Sequence, residues 1–337
     1  MIGLDVVRAQ EIEALTPGAP RNAKQAIHGG AISIEMLREL TTLRDGRSLR
    51  DVAAAVLSFV AVPVVYALWP HPLVLAACLL LVIRNANYFA QLVHESDHGT
   101  LFRSARLNVW AGNLAAFILG YTRSGHRHAH MDHHLYLNTE RDPDRLFGAP
   151  GDNGRRILWY LLQDLFFVTA VKRLLQYSPA DRSPSSVAPW KTAGVGRFVI
   201  STSRRMLPVA CVQLVILGLF TVTTGPWGYL WLQLLPLMTL YPVQIRIRSA
   251  AEHGMDVGRP ENPADPWISR SSTLNVFERF VIAPMDQNYH YEHHIFPSIP
   301  NYNLARVHAY LIAAGVPVPT QRSYIGFTLR KILADFR

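Results

Sequence analysis

The alternation of apolar and polar stretches along this chain predicts an integral membrane protein. Four apolar runs stand out, at Val52 to Trp69, Leu73 to Phe89, Met206 to Thr224 and Tyr229 to Ile245. Each is about as long as a helix that crosses a bilayer. Trp69-Pro70-His71-Pro72 separates the first two runs and Gly225-Pro226-Trp227-Gly228 separates the last two. Because Pro and Gly end helices and reverse the chain, we expect four transmembrane helices in two hairpins.

The arginines indicate how these hairpins are oriented. Neither hairpin tip carries a Lys or Arg, whereas Arg47 and Arg50 precede the first run and Arg246 and Arg248 follow the last. Loops rich in Lys and Arg stay on the cytoplasmic side of a membrane. We therefore expect a multi-pass protein of the inner (cytoplasmic) membrane, with the open ends of both hairpins facing the cytoplasm.

Shorter segments complete the predicted architecture. Val109 to Tyr121 is apolar but too short to span, and Ile157 to Leu175 is interrupted by charged residues. We interpret both as interfacial or re-entrant segments. Ser178 to Gly196 is rich in Pro, Ser and Gly, which predicts a surface loop.

The same pattern divides the chain into three parts. Residues 1–50 are predicted to form an N-terminal cytoplasmic segment, in which Ile34 to Leu49 could be an interfacial helix. Residues 51–310 form the membrane domain, and residues 311–337 a C-terminal cytoplasmic tail with a basic amphipathic helix from Thr328 to Arg337. The expected fold is all-α, with the membrane helices carrying a cytoplasmic helical cap.

The composition agrees with a membrane protein and excludes several other classes. Half of the residues are hydrophobic and 17% are charged, compared with about a quarter charged in soluble domains. The formal charge of +9 comes from arginines beside the apolar runs and not from one basic stripe, so we expect no nucleic-acid partner. Cys78 and Cys211 both lie inside apolar runs, which leaves no Cys pair for zinc or an iron–sulfur cluster.

The candidate chemistry lies in the histidines. His126 to His134 reads HRHAHMDHH, and the other clusters are the pair His94 and His98, the lone His253, and a third group from His290 to His294. Neutral imidazole is the commonest protein ligand for metals, and histidine is too polar to fill a core in such numbers. The clusters follow the predicted cytoplasmic ends of the membrane helices, so the topology brings them together.

The spacing of the histidines predicts two metal ions. Residues three and four apart share one face of a helix, and this spacing is met by one pair and two triplets, which with the lone His253 make nine candidate ligands. These are His94, His98, His130, His133, His134, His253, His290, His293 and His294. One ion takes roughly four to six ligands, and imidazole favours iron, zinc, copper or nickel. His128 points off the shared face, whereas the role of His126 stays open.

Five acids are interleaved with these clusters and could orient the rings. A metal-bound imidazole usually donates its second N–H to a carboxylate or carbonyl. The candidates are Glu95, Asp97, Asp132, Glu252 and Glu292, and the acids of Asp142-Pro143-Asp144 could also anchor histidines. Asn288, two residues before His290, could hold a metal-bound water.

The motifs HESDHG, HMDHH followed by DPD, and NYHYEHHIFPSIPNYNL resemble the three histidine boxes of the membrane-bound fatty acid desaturase superfamily. The resemblance extends roughly from Val52 to Tyr310. It implies a cytoplasmic di-iron centre (Fe2+/Fe3+) with the nine histidines as ligands, and O2 as co-substrate. In acyl-CoA desaturases an asparagine four residues before the lone histidine assists one metal through water, but Ser249 stands at that position here.

The electrons of such an enzyme must come from outside this chain. No His-Pro-Gly-Gly haem-binding signature occurs, and the only His-Pro pair, His71-Pro72, lies at a hairpin tip. No Cys pairs exist for rubredoxin or ferredoxin iron. The resemblance therefore implies a separate ferredoxin-, rubredoxin- or cytochrome-type donor that docks on the basic cytoplasmic face.

The resemblance implies O2-dependent attack on unactivated C–H bonds, and we expect desaturation of a fatty acyl or lipid-like chain. The alternative within the family is a hydroxylase or ketolase acting on a carotenoid or a small metabolite. A distant alternative is an intramembrane zinc protease, since His94-Glu95-Ser96-Asp97-His98 satisfies HExxH. A metal transporter would place its ligands near the bilayer midplane, whereas these clusters lie outside the predicted spans.

Overall fold

The computed structural model describes residues 32–137, 139, 141–144, 153–176, 195–253, 269–316 and 318–336, with the side chains of 173–176 and 195–202 excepted. Most of the predicted N-terminal segment and of the predicted surface loop at 178–196 lie outside these residues. The elements up to residue 176 are α1 (Ile34–Leu40), α2 (Asp45–Leu68), α3 (Pro72–His98), α4 (Ala105–Ile118), α5 (Arg123–Tyr136), α6 (Gly154–Leu165) and α7 (Val168–Gln176). The remainder are α8 (Val195–Thr224), a π-helical turn (Leu230–Leu234), α9 (Leu235–Met238), α10 (Leu240–Glu252), β1 (Ser271–Thr273), α11 (Val276–Val281), α12 (His290–Ile295), α13 (Asn301–Ala313), β2 (Thr320–Arg322) and α14 (Tyr324–Ala334).

The first predicted hairpin is formed by α2 and α3. The imidazole of His71 caps α3 by accepting a hydrogen bond from the backbone N–H of Leu73 at 3.2 Å, and Pro72 occupies the first turn, where its missing N–H costs no hydrogen bond. At the other end, Gly99 takes the left-handed conformation that commonly terminates a helix. The 27 residues of α3 therefore run from the hairpin tip to the first pair of histidines.

Three helical segments within the described residues are long and apolar enough to cross a membrane. They are Ile34–Leu68, Pro72–His98 and Ser203–Thr224. Their outward faces carry large apolar side chains, such as Leu214 and Val222, which are 65% and 87% exposed. Their inward faces pack around Phe59, Phe89 and Phe220 in one apolar core. Exposed apolar surface of this extent fits contact with lipid.

The fourth predicted span is not one continuous helix. The run from Tyr229 to Ile245 begins with the π-helical turn, continues as α9, and breaks at Thr239, whose φ and ψ are −124° and −71°. Pro236 and Pro242 flank the break, and neither can donate a backbone hydrogen bond within a helix. The apolar composition of this run thus predicted its helical content but not its interruption.

The segment predicted to be interfacial at residues 157–175 is divided between α6 and α7. Phe167 separates them with a φ of 64°, and Trp159 and Phe166 are largely exposed on their apolar side. Asp164 faces the opposite way and forms a buried ion pair with Arg246 of α10. These helices are therefore amphipathic, as expected for segments that lie at a membrane surface.

The C-terminal residues are packed against the end of α10 and against residues 271–283. Strand β2 pairs in parallel with β1, with Ser271 opposite Thr320. The side chain of Tyr324 is completely buried, in a cluster that includes Ala251 and Ile282. A further apolar cluster joins α1, α12 and α13. Together these contacts hold the segments carrying the last histidines.

Candidate metal centre

Four segments bring their histidines to one place. The last turn of α3 presents His94 and His98, and His253 follows the last residue of α10. Helices α5 and α12 present three each, at spacings that put them on one face. These are His130, His133 and His134 on α5, and His290, His293 and His294 on α12.

The nine imidazoles divide into two groups whose candidate ligand atoms lie within 4.8 Å of one another. The five-histidine group contains His94, His98, His130, His134 and His293. The four-histidine group contains His133, His253, His290 and His294. The groups adjoin, because the ring centroids of His134 and His294 are 4.5 Å apart. All nine predicted ligands are therefore brought together, and their ligation of metal remains a prediction.

The distances between ring nitrogens fit a metal ion in each group. The Nε2–Nε2 separations are 2.8 Å for His98–His130, 3.1 Å for His130–His134 and 3.1 Å for His134–His293 in the first group. In the second they are 2.9 Å for His253–His290 and 3.0 Å for His290–His294. Two nitrogens bonded to one ion at about 2.1 Å, at a right angle, lie about 3 Å apart. Lone pairs facing each other at this distance repel unless a metal ion or a shared proton lies between them.

The protonation of these rings also suits ligation. Among the seven ligand candidates outside the three long apolar helices, six have a pKa well below the ordinary value, because burial penalises the charged form and neighbouring rings repel it. These are His130, His134, His253, His290, His293 and His294. Metal ligation requires neutral imidazole, and these rings are neutral near pH 7.

His133 is the exception, and a carboxylate explains it. Its Nδ1 lies 2.9 Å from Oδ1 of Asp142. Burial is the largest single influence and opposes protonation of His133, but the hydrogen bond to Asp142 and the negative charges of Asp144, Asp142 and Glu252 together outweigh it, so the pKa of His133 is raised. With Nδ1 bonded to the carboxylate, Nε2 is left to face the four-histidine group. Asp142 thus fixes the ring in the manner typical of carboxylates behind metal ligands.

Glu95 is held by protein donors. One of its carboxylate oxygens accepts hydrogen bonds from the Thr100 hydroxyl at 2.8 Å and the Asn301 backbone N–H at 3.0 Å. The other oxygen accepts from the Gln91 amide at 3.1 Å and lies 3.2 Å from Nδ1 of His94. Glu95 therefore links His94 of the five-histidine group to the start of α13.

Glu292 and Asp97 bind histidines that are not ligand candidates. The completely buried Glu292 accepts a hydrogen bond from Nδ1 of His308 at 2.5 Å, which raises the pKa of His308. Asp97 lies 2.7 Å from Nδ1 of His126. The ring of His126 stacks on that of His130 at 5.7 Å, so His126 supports the five-histidine group from outside it.

The sequence did not single out every residue near the centre. Nothing in its pattern marked His308, and Tyr324 lies in a segment predicted to be a tail. Glu252, by contrast, was expected beside the histidines, and its Oε2 lies 3.8 Å from Nδ1 of His290. Asn288 donates from its side-chain amide to the backbone oxygen of Ser272 at 3.0 Å, and its role at a metal remains untested.

Comparison with known proteins identifies the family. Residues 68–320 match the family model described as fatty acid desaturase. The match covers more than half of the chain and includes all the segments that carry the two histidine groups. The chain therefore belongs to the fatty acid desaturase family, as the histidine motifs predicted.

Individual relatives are distant. A sphingolipid delta(4)-desaturase/C4-monooxygenase from Bos taurus is 26% identical over 256 residues, which is 72% of this chain and 66% of the bovine protein. A dihydrorhizobitoxine desaturase from Bradyrhizobium elkanii is 26% identical over 69% of this chain and 65% of its own length. An sn-1 acyl-lipid omega-3 desaturase (ferredoxin) from Synechocystis sp. is 23% identical over 63% and 60%. The chain thus spans slightly less than two thirds of the length of these relatives.

Proposed function

We propose that this chain is a membrane-embedded, O2-dependent di-iron desaturase that acts on a fatty acyl or lipid-like chain. The observation that carries this proposal is the gathering of nine imidazoles into two adjoining groups of five and four. All-histidine donor sets suit iron among other first-row metals. Family membership favours iron over the alternatives.

Two irons bound to these groups would supply the reduction of O2 that removes hydrogen from an unactivated C–H bond. The protein residues prepare the site for this chemistry. Burial keeps most of the rings neutral, and Asp142, Glu95 and Glu252 face Nδ1 atoms of His133, His94 and His290. The protein thus contributes ring orientation and exclusion of water.

The membrane arrangement is part of the same proposal. We infer four spans in two hairpins, the fourth being the interrupted segment from the π-helical turn to α10, with the helical cap and both histidine groups on the cytoplasmic side. The arginines near the open ends and the absence of Lys and Arg from both hairpin tips support this orientation. The lipid-facing surface of α2, α3 and α8 supports a substrate that reaches the site from the bilayer.

The electron donor is proposed to be a separate ferredoxin-, rubredoxin- or cytochrome-type protein. The name of the Synechocystis relative includes ferredoxin, which favours a small, separate carrier. Arg103 and Arg106 near the start of α4, and Arg127 between the histidines of α5, are exposed and positively charged. Such a surface attracts an acidic carrier and makes the rate of electron delivery fall with rising salt concentration.

Hydroxylation is the second candidate within this class, and one observation favours keeping it. The name of the bovine relative joins a desaturase activity to a monooxygenase activity. Removal of a second hydrogen gives an alkene, whereas return of oxygen to the same carbon gives an alcohol. The placement of the chain at the site decides between them, and a carotenoid or small metabolite is the corresponding alternative substrate.

The protease alternative is disfavoured by the surroundings of Glu95. A general base needs a carboxylate oxygen free to meet a metal-bound water, whereas both oxygens of Glu95 accept hydrogen bonds from the protein. Replacing Glu95 with Gln is expected to leave iron bound and part of the oxidase activity intact. If the chain instead cleaved peptides, and Glu95→Gln abolished this cleavage without lowering the metal content, the protease alternative would be favoured.

The deciding experiment is expression of the chain in a host that lacks such enzymes, followed by mass spectrometry of lipids and extracts. Loss of two hydrogens from a product indicates desaturation, and gain of one oxygen indicates hydroxylation. We expect about two irons per purified chain, since each histidine group has enough ligands for one ion. An iron-free chain, or activity that survives replacement of His130, His133 and His134 by Ala, would contradict the proposal.

A further inference from the structure

A buried tyrosine hydroxyl from the C-terminal helix reaches the region beside the four-histidine group. Tyr324, the first residue of α14, donates a hydrogen bond of 2.7 Å from its hydroxyl to Oε1 of Glu252. The two residues are 72 positions apart in the chain. Tyr324 is completely buried and Glu252 is 1% exposed. This hydrogen bond is therefore shielded from water.

Glu252 connects that hydroxyl to two candidate ligands. It is the last residue of α10 and directly precedes His253. Its second oxygen, Oε2, accepts a hydrogen bond from Nε of Arg248 at 3.0 Å and lies 3.8 Å from Nδ1 of His290. Glu252 is therefore the chain neighbour of one candidate ligand, His253, and its carboxylate faces the ring of another, His290. Rotation of its carboxylate changes the surroundings of Nδ1 of His290.

The tyrosine is itself held firmly by the C-terminal segment. The preceding residue, Ser323, donates its hydroxyl to Oε1 of Glu278 at 2.7 Å, and the backbone N–H of Ile325 donates to the same oxygen at 2.9 Å. Strand β2 ends immediately before Ser323 and pairs with β1. The Tyr324 ring therefore has little freedom to follow a displaced carboxylate.

We propose that Tyr324 is a positioning residue for the four-histidine group, acting through Glu252. This inference rests on the two-metal centre of the proposed function. Without the hydroxyl, Oε1 of Glu252 loses this buried donor, and the carboxylate turns to recover a partner. Oε2 then moves relative to Nδ1 of His290, and the orientation of the His290 ring is lost. The five-histidine group, which Tyr324 does not contact, keeps its geometry.

The test is metal binding by full-length protein in detergent, measured with Zn2+ alone after removal of bound metal. A background with His98 and His130 replaced by Ala confines strong binding to the four-histidine group. In this background, Tyr324→Phe is expected to weaken Zn2+ binding by about 10- to 100-fold, the usual cost of losing a group that orients a ligand. In the otherwise wild-type chain, the same substitution should weaken binding of one of the two ions by a similar factor and leave binding of the other unchanged.

Two matched controls separate positioning from general packing. Tyr229→Phe removes a hydroxyl that also makes a 2.7 Å hydrogen bond to a side-chain oxygen, that of Gln213, near the tip of the second hairpin. Thr328→Val removes a buried hydroxyl from α14 itself, where it bonds the backbone oxygen of Tyr324. Both variants are expected to bind Zn2+ as the background does. Equal weakening by Thr328→Val would show that α14 acts through packing alone and would overturn the proposal.

A double substitution tests the route through Glu252. If Tyr324 acts through this carboxylate, Glu252→Gln and Tyr324→Phe together should weaken binding no more than Glu252→Gln alone, because coupled residues are not additive. Additive losses, or wild-type affinity in Tyr324→Phe, would overturn the inference. A wild-type chain that binds no second ion would instead contradict the two-metal centre itself. Unfolding midpoints of the metal-free variants establish that each chain is folded.

Discussion

The two histidine groups are built in different ways. In the five-histidine group two ligands share a helix with the carboxylate that supports one of them: His94 and His98 are one turn apart on α3, and Glu95 between them lies against Nδ1 of His94. Apart from His130 and His293, its members are partly exposed. In the four-histidine group only His253 is partly exposed, and the supporting carboxylates Asp142 and Glu252 lie outside the helices that carry the histidines they face. Asp142 follows α5, and Tyr324 belongs to the last helix.

This difference indicates which histidine group loses its geometry more easily when the tertiary structure is disturbed. Ligands that share one helix with their supporting carboxylate, as His94 and His98 do, keep their relative positions whenever that helix forms. A group supported by separate segments requires the tertiary structure to be complete. We therefore expect substitutions far from the ligands to empty the four-histidine group first, and the following predictions test that asymmetry.

The largest effect is expected from removing a ligand of the four-histidine group. His133→Ala should abolish turnover and lower iron from about two to about one per chain, because three imidazoles remain for that ion. His128→Ala is the matched control on the same helix, since that ring is exposed and its Nδ1 faces the backbone oxygen of Ser124. Iron analysis of both purified variants checks this, and a full complement of iron in His133→Ala would refute the assignment.

A smaller effect is expected from replacing Asp142, whose carboxylate lies against Nδ1 of His133. Asp142→Asn keeps the size of the side chain but removes the charge that orients the ring, and should weaken metal binding by about 10- to 100-fold. Asp144→Asn is its control, because that carboxylate is 46% exposed and lies 3.8 Å from Nδ1 of His133. Metal titration of the two variants is the measurement. If Asp144→Asn is the more damaging change, the role given to Asp142 is wrong.

The metal-free protein should lose stability in acid. The six rings with a lowered pKa bind protons more readily in the unfolded chain, so stability falls as the pH drops below about 6.5. His133 acts in the opposite direction. Its raised pKa stabilises the folded state below about pH 6.5, and that contribution is lost as the pH rises through the raised value.

Two variants sharpen this expectation into a comparison. Replacing His134 and His293 with Gln should flatten the loss of stability in acid, whereas replacing His133 with Gln should steepen it. Unfolding midpoints of metal-free protein between about pH 5 and pH 8 provide the measurement. The metal-bound wild type serves as reference, because bound ions stabilise the folded state by mass action. The same slope in both variants would show that His133 is not protonated preferentially in the folded chain.

The smallest effect is expected at His126. The structure places its ring against Asp97 and His130 but outside both groups. His126→Gln should retain about two irons per chain and most of the activity, since Gln can still donate to Asp97. Loss of one iron would instead make His126 a ligand. The iron content of this variant therefore distinguishes a His126 that supports the neighbouring ring of His130 from a His126 that binds metal itself.

Much of the centre could be predicted because its signals are local. That His130, His133 and His134 share one face depends only on the geometry of a helix. The length and composition of the apolar runs indicate which segments can enter a membrane. The motifs also identified the family. The break at Thr239 was not predictable, because the apolar composition of residues 229–245 is compatible with both a straight and an interrupted helix.

The sequence by itself thus determined which nine imidazoles could bind metal and which segments are apolar enough for a membrane. Only the tertiary structure decided how the nine divide into five and four, and that His133 turns away from His130 and His134 towards His253. It also decided that Tyr324 contacts Glu252 and that His308 contacts Glu292. The physical reason is that these pairings depend on how separate helices pack, and no short-range pattern of residues encodes the contact between two distant segments.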